Sequence, residues 1–296
     1  MNSNISKEMV RNTLICKKQS SLRAQKSIAS LQQLEKPWFP QFSKELRVAQ
    51  LACEKASKIL LNYNKELNIT DKGYGDIGIQ ADIDAEKAII QVLESHFPDY
   101  GILAEESGEK KKAGRKWIID PLDGTQNFAR GSPIFGTTVA LEEDGEIVLA
   151  VIYLPKIGEK LYAIKGKGAF LNGKKISVSN RHDDKSAILF GGMRQINKSE
   201  KTKQMFLALN RKYPHCFRVM GCATYNAASV AIGRAEALVS PGSKPWDLAA
   251  GCLIIQEAGG IVSDSLGQKI DIYKSDFVLS NKAIHKDIIK RINEKK

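Results

Sequence analysis

The sequence predicts a mixed α and β protein: an antiparallel sheet with accompanying helices, then a half in which strands and helices alternate. Three observations carry this reading. Asp144-Gly145 and Asn172-Gly173 are hairpin dipeptides set between short apolar runs in residues 137–178. Two segments ahead of that stretch have apolar residues at helical spacing. Beyond residue 185, strand-length apolar runs alternate with helix-length ones. The chain divides accordingly into a polar, basic arm over 1–40, an α+β half over 41–185 and an α/β half over 186–296.

From Glu45 to Asn64 the apolar positions Leu46, Ala49, Ala52, Cys53, Ala56, Ile59 and Leu60 mark an amphipathic helix. A polar loop with Gly73 and Gly75 leads through Ile77-Gly78-Ile79 to Asp82 and Asp84, then a second helix runs from Ala85 to Phe97. Asp82 and Asp84 are also natural helix caps. Ile102-Leu103-Ala104 reads as a strand delivering Glu105, and Trp117-Ile118-Ile119 as one delivering Asp120. A meander follows, with strands at 137–141, 146–153, 161–164, 168–171 and 176–178. Gly168 to Lys175 nearly spells a phosphate-binding loop, but it ends in lysine rather than Ser/Thr and lies between strands, so it reads as a turn. The second half alternates strand 187–190, helix 200–213, strand 217–219, helix 225–233, strand 235–239 and helix 246–258. Gly259-Gly260 stops that helix, and strands at 261–262 and 277–279 precede a final helix over 283–293.

At 296 residues and 43% hydrophobic, the chain can bury a sizeable core. No apolar run approaches the roughly 18 residues of a membrane span, and no secretory signal pattern opens the sequence. The expected location is cytoplasmic, or an organelle if the basic arm is a transit peptide. The five cysteines are scattered without a C-x-x-C pair, and no two of the four histidines stand at i, i+4. Neither a disulfide framework nor a zinc or histidine-based site is indicated. The net charge of +12 invites a nucleic-acid reading, but residues 1–34 alone hold six Lys/Arg against Glu8, and no basic patch is interleaved with aromatics. Nucleic acid is therefore an unlikely partner, whereas a positive field helps to gather anionic substrates.

The chemistry concentrates in Asp120-Pro121-Leu122-Asp123-Gly124-Thr125. The preceding strand is expected to deliver two carboxylates into a tight turn, where Pro121 fixes φ and leaves no N–H unpaired. A hard divalent cation suits such a pair. Gly124 permits close backbone approach, and a helix beginning at Thr125 would aim N–H groups at an anion. Glu105-Glu106-Ser107 and Trp246-Asp247-Leu248-Ala249-Ala250-Gly251 add further acids at the ends of apolar elements.

These three stretches, with Asn127-Phe128, resemble in order and separation the acidic motifs of the inositol monophosphatase family, Mg²⁺-dependent and lithium-sensitive phosphomonoesterases. The resemblance spans Glu45 to the C-terminus. It implies a layered α/β/α/β/α sandwich, two or three Mg²⁺ ions, a small phosphorylated substrate and a homodimer. It also implies roles: Glu105, Asp120 and the Leu122 carbonyl on a first metal, and Asp120, Asp123 and Asp247 on a second. Glu105 and Thr125 orient the attacking water, Gly124 and Thr125 N–H groups bind phosphate, and Asp82 and Glu106 lie in an outer shell. Haloacid-dehalogenase-type enzymes use D-x-D-G-T, whereas Pro121 and Leu122 separate the acids here, so water attack without a phosphoenzyme is expected.

Inositol-specific members usually carry a glutamate seven residues before the last metal aspartate, and this chain has Ser240 there. Ser240 is thus a substrate-contact position without the usual carboxylate. Histidinol phosphate and a 3′(2′),5′-bisphosphate nucleotide stand as alternative substrates. A non-catalytic role binding nucleic acid or protein is the alternative of a different class.

Overall fold

The computed structural model describes residues 43–294 apart from 74–75, 112, 183–186, 192–198, 214–215 and 275. The basic arm read in residues 1–40 lies outside the described residues. Helix α1 (Ser43–Leu61) and a hairpin of β1 (Thr70–Gly73) and β2 (Asp76–Gly78) lead into α2 (Gln80–His96). Then come β3 (Gly101–Ala104), β4 (Gly108–Lys111), β5 (Arg115–Asp123) and the short α3 (Thr125–Ala129). The meander β6 (Gly136–Glu143), β7 (Glu146–Leu154), β8 (Glu159–Ile164), β9 (Gly168–Leu171) and β10 (Lys174–Lys175) follows. The remainder is β11 (Leu189–Gly191), α4 (Glu200–Lys212), β12 (Phe217–Arg218), α5 (Ala223–Ala231), β13 (Ala237–Pro241), α6 (Pro245–Glu257), β14 (Ile261–Ser263), β15 (Asp276–Ser280) and α7 (His285–Asn293).

Strand pairing builds a large sheet in the order β10-β9-β8-β7-β6-β5-β3-β4 and a smaller one in the order β12-β11-β13-β15-β14. The large sheet is antiparallel except where β3 runs parallel to β5, a pairing the meander pattern did not foretell. Period-two alternation sorts each strand between two cores. Trp117 packs against Phe97 and Tyr100 beside α2, while its neighbour Ile118 joins the core that α5 and α6 build between the sheets. In the small sheet Leu238 faces that inner core, and Val239 faces the outer one with Leu209 of α4 and Ile288 of α7. The layers are helix, sheet, helix, sheet, helix, and the sandwich is the expected one. Because α6 lies between sheets, Leu248 through Ile255 are all buried, with none of the polar face that a surface helix shows. The inner core draws on both halves of the chain, Ala150 and Ile152 from one and Leu248 and Ile254 from the other.

Both hairpin dipeptides turn as expected, with positive φ at Asp144, Gly145, Asn172 and Gly173. Four local expectations are corrected. The polar loop around Gly73 pairs into the β1–β2 hairpin. Helix α2 begins at Gln80 rather than Ala85, because Asp82 at its third position accepts the Ile79 N–H at 2.7 Å and secures the first turn. Residues 176–178 form no strand: Ile176 N bonds Ala169 O, and Val178 N bonds Ala258 O. Finally, β5 does not end in a turn at Asp120. It runs through Pro121 to Asp123, with the ladder to β6 interrupted between Asp120 and Asp123, where proline's missing N–H costs nothing.

His285 opens α7 with both ring nitrogens on serines, Nε2 at 3.0 Å from Ser263 Oγ and Nδ1 at 2.7 Å from Ser280 Oγ. Burial lowers its pKa from 6.5. Below that value the unfolded chain binds the proton that the folded chain resists, so the contribution of His285 to stability falls as pH drops from about 6.5 through the lowered folded value. Denaturant titrations of wild type and His285→Gln at pH 7.5 and 5 isolate this contribution from that of the buried acids: going from pH 7.5 to 5, the stability of wild type should change less favourably than that of the variant. An unchanged difference in the variant would remove His285 from the account.

Candidate active site

The site grows from the interrupted end of β5. Asp120 is 1% exposed, and its Oδ1 accepts the Leu122 N–H at 3.0 Å, bridging Pro121. The Thr137 hydroxyl donates to the Pro121 carbonyl at 2.9 Å, so the gap in the ladder is closed by a side chain. The chain reverses at Gly124, where φ is +89°, and Thr125 starts α3. Thr125 Oγ1 donates to the Leu122 carbonyl at 3.0 Å and lies 3.4 Å from Asp82 Oδ1.

Three other segments bring acids to this point. Parallel pairing of β3 with β5 carries Glu105 alongside, its N–H on the Ile119 carbonyl at 3.2 Å, and its carboxyl comes within hydrogen-bond reach of Asp120. Asp247 is the third residue of α6 and accepts the Lys244 N–H at 2.7 Å, the reach-back position rather than the cap itself. Asp123 is held from α5: its Oδ2 accepts the Thr224 N–H and the Cys222 thiol, the latter at 3.2 Å. The Asn127 amide ties that connection down, donating to Met220 O at 2.8 Å and Ile134 O at 2.9 Å.

The electrostatics follow from burying several like charges together. Burial raises Glu105 to about 7, with Glu106, Asp247 and Asp123 pushing the same way and Lys72 opposing. Asp120 rises well above the carboxylate range, first by burial and then by Glu105, Asp123 and Asp247. Asp82 reaches about 7 by burial, with Glu106 and Glu105 adding to it and the Ile79 N–H opposing. Each acid therefore resists ionising until a cation compensates.

Of the expected residues, Glu105, Asp120, Asp123 and Asp247 share one electrostatic neighbourhood, with Leu122, Gly124, Thr125 and Asp82 around them. Glu106 is turned to Lys72, whose Nζ is 2.6 Å from Glu106 Oε1 and 3.4 Å from Glu105 Oε1. Ser240 is 6% exposed at the end of β13, its hydroxyl 2.7 Å from that of Ser243. Sequence reasoning missed Lys72, Cys222 and Thr224. Cys222 caps α5 through its thiol, but the helix begins at Ala223, ahead of the run at 225–233 that the sequence suggested, and cysteine is not a residue that marks a cap. Lys72 had none, since a lysine in a polar loop carries no spacing cue.

The donor set fits a hard cation. Carboxylates and a backbone carbonyl are oxygen ligands of the kind magnesium prefers. Among the described residues no three His, Cys, Asp or Glu side chains form a ready-made cage.

Known proteins resemble this chain over most of its length. The profile of the inositol monophosphatase family matches residues 43–296. A Thermotoga maritima protein named fructose-1,6-bisphosphatase/inositol-1-monophosphatase is 37% identical over 80% of this chain and 90% of its own length. A Pasteurella multocida protein named Nus factor SuhB is 34% identical over 83% of this chain and 95% of its own. The crystal structure of the extragenic suppressor protein suhB from Bartonella henselae superposes with a TM-score of 0.79 at 32% identity, covering 84% of this chain and 98% of that one.

Gly124 offers a direct test of how tightly the central loop is built. A Cβ there would lie 2.9 Å from the Ile134 carbonyl oxygen and 3.2 Å from Cys222 Cβ, at a positive φ. Gly124→Ala should cost at least the roughly 1–2 kcal/mol of a left-handed residue and should lower turnover. Chemical denaturation and a phosphatase assay measure both, and a variant as stable and active as the parent would contradict this packing.

Proposed function

The chain belongs to the inositol monophosphatase family, and on that premise we propose that it hydrolyses small phosphate monoesters with Mg²⁺ held by Glu105, Asp120, Asp123, Asp247 and the Leu122 carbonyl. The observation that carries this is the convergence of those acids at the end of β5, each raising its neighbours' pKa. Magnesium, when bound, neutralises phosphoryl charge and makes a nucleophile of water near neutral pH. Asp120, buried deepest and influenced by all three other acids, is the donor best placed to be shared between two ions.

The chain's own groups supply the rest. Thr125, set between the Leu122 carbonyl and Asp82, orients the attacking water together with Glu105. Asp82, 3.4 Å from that hydroxyl, helps to hold Thr125 in place. The Gly124 and Thr125 N–H groups at the start of α3 hold the phosphate. Glu106, locked to Lys72, tunes Glu105 from outside. Two or three Mg²⁺ ions, lithium inhibition, a homodimer and a cytoplasmic location belong to the same reading. Among the described residues no helix is long and apolar enough to cross a membrane.

The substrate reading rests on Ser240. A glutamate there would offer acceptors to two polyol hydroxyls, whereas the serine is neutral, buried and paired with Ser243. A site lacking that acceptor discriminates less in favour of polyols. Myo-inositol 1-phosphate is accordingly not the best substrate, and less hydroxylated or more anionic alcohols are accepted. The filled acid positions favour catalysis over a non-catalytic role in binding nucleic acid or protein.

The purified protein should release phosphate from an ester panel only with Mg²⁺ present and lose that activity in EDTA. Asp120→Asn should cost more than the roughly 10–100-fold typical of losing a group behind a ligand. Near-normal turnover by a folded Asp120→Asn variant would refute the shared-ligand role. Within the panel, kcat/KM for histidinol phosphate, adenosine 3′,5′-bisphosphate or fructose 1,6-bisphosphate should exceed that for inositol 1-phosphate. A clear preference for inositol 1-phosphate would overturn the reading of Ser240.

A further inference from the structure

Helix α2 carries a second buried acid, Glu86, one turn beyond Asp82 and on the same face. Glu86 is 4% exposed, and burying a carboxylate is costly unless it is hydrogen-bonded. Its partners are two backbone N–H groups rather than a lysine or arginine: Oε2 accepts from Glu106 N at 2.8 Å and Oε1 from Ser107 N at 3.0 Å. Bonds of this kind to an ionised acceptor are about twice as strong as neutral ones, and two of them make a rigid clamp. Both N–H groups lie in the turn that follows β3, immediately after Glu105.

The backbone of Glu105 is thus fixed from both sides. Its own N–H is on the Ile119 carbonyl, and the two residues after it are held by Glu86. From the same helix face Asp82 reaches the Thr125 hydroxyl in the other acidic segment. Two carboxylates at i and i+4 therefore tie the Glu105 turn and the central β5–α3 segment to one rigid element.

We infer that Glu86 is a positioning residue for metal binding. By clamping the Glu105–Ser107 turn it holds the Glu105 carboxylate beside Asp120 in the geometry a cation needs. A carboxylate free to swing away from its buried neighbours would relieve their repulsion by separation, and the clamp removes that escape. The inference rests on the Mg²⁺ reading above.

The test compares Mg²⁺ binding by calorimetry, and the Mg²⁺-induced rise in Tm, for the wild type and for Glu86→Gln. Glutamine keeps the volume but leaves one oxygen to serve two N–H groups. The expected result is a 10–100-fold weaker Mg²⁺ affinity in a folded variant, with KM for the ester at saturating Mg²⁺ little changed. A role confined to stability would instead lower the Tm of the metal-free protein and leave Mg²⁺ affinity at the wild-type value, and that outcome overturns the inference. Should Glu86→Gln fail to fold, Glu86→Asp, which keeps the charge but shortens the reach, is read in the same way. If the wild type itself binds no Mg²⁺, the metal reading fails and this inference falls with it. A wild type that binds the ion beside an unaffected variant sinks the inference alone.

Discussion

The mutual repulsion of buried carboxylates at the end of β5 is the constraint that the surrounding structure is built to withstand. Glu105 and Asp120 stand within hydrogen-bond reach of each other while Asp123 and Asp247 raise their pKa further. Left to themselves, such groups would move apart or admit water. They do not separate because they hang on three rigid elements whose positions are set by apolar packing elsewhere. Asp120 and Asp123 are carried by a central strand of the large sheet, Glu105 by its parallel neighbour, and Asp247 by a helix buried between two sheets. The hydrophobic cores on either side thereby hold a local arrangement that is unfavourable in the absence of a cation.

Backbone N–H groups do most of the aiming. Asp82, Asp120, Asp123, Asp247 and Glu86 each accept at least one, from Ile79, Leu122, Thr224, Lys244 and the Glu106–Ser107 pair respectively. Such donors fix a carboxylate's direction without cancelling its charge, as a lysine or arginine would. Lys72 is the exception. Its ammonium lies against Glu106 and Glu105, and although burial works against its charge, the two glutamates raise its pKa above the ordinary lysine value. It comes from the β1–β2 hairpin, an element outside both sheets, and so brings positive charge to the acids without belonging to the rigid frame.

Much of this was legible in the sequence because the features concerned are local. The hairpins at Asp144-Gly145 and Asn172-Gly173 depend on two residues each, and the motif acids sit at the ends of apolar runs that form strands and a helix. What was misjudged depends on partners distant in the chain or on polar bonds that apolar periodicity does not register. Asp120-Pro121 reads as a turn because proline usually ends a strand, yet β6 is present on one side and Thr137 caps the unpaired Pro121 carbonyl. The start of α2 at Gln80 depends on Asp82 reaching back to Ile79, a bond that a scan for apolar periodicity does not weigh. Glu86 looks like an ordinary acid on an amphipathic helix. Its burial follows from the β3–β4 turn lying against that face, which pairing on the far side of β5 determines. Ser240 was identified by its spacing from Asp247, but its bond to Ser243 required the end of β13 in three dimensions.

The central claim is that the acid cluster holds protons that a divalent cation must displace. The most direct measurement is calorimetry of Mg²⁺ binding at pH 6.5 in two buffers of different ionisation enthalpy, which counts the protons released per binding event. Glu105 and Asp82 have pKa values raised to about 7, so the metal-free cluster is partly protonated at that pH, and burial beside the other acids raises Asp120 as well. Binding to ionised ligands should expel those protons, giving a net release at pH 6.5 and a higher Mg²⁺ affinity as pH rises. Mg²⁺ binding with the same heat in both buffers, and hence no proton release, would contradict the account.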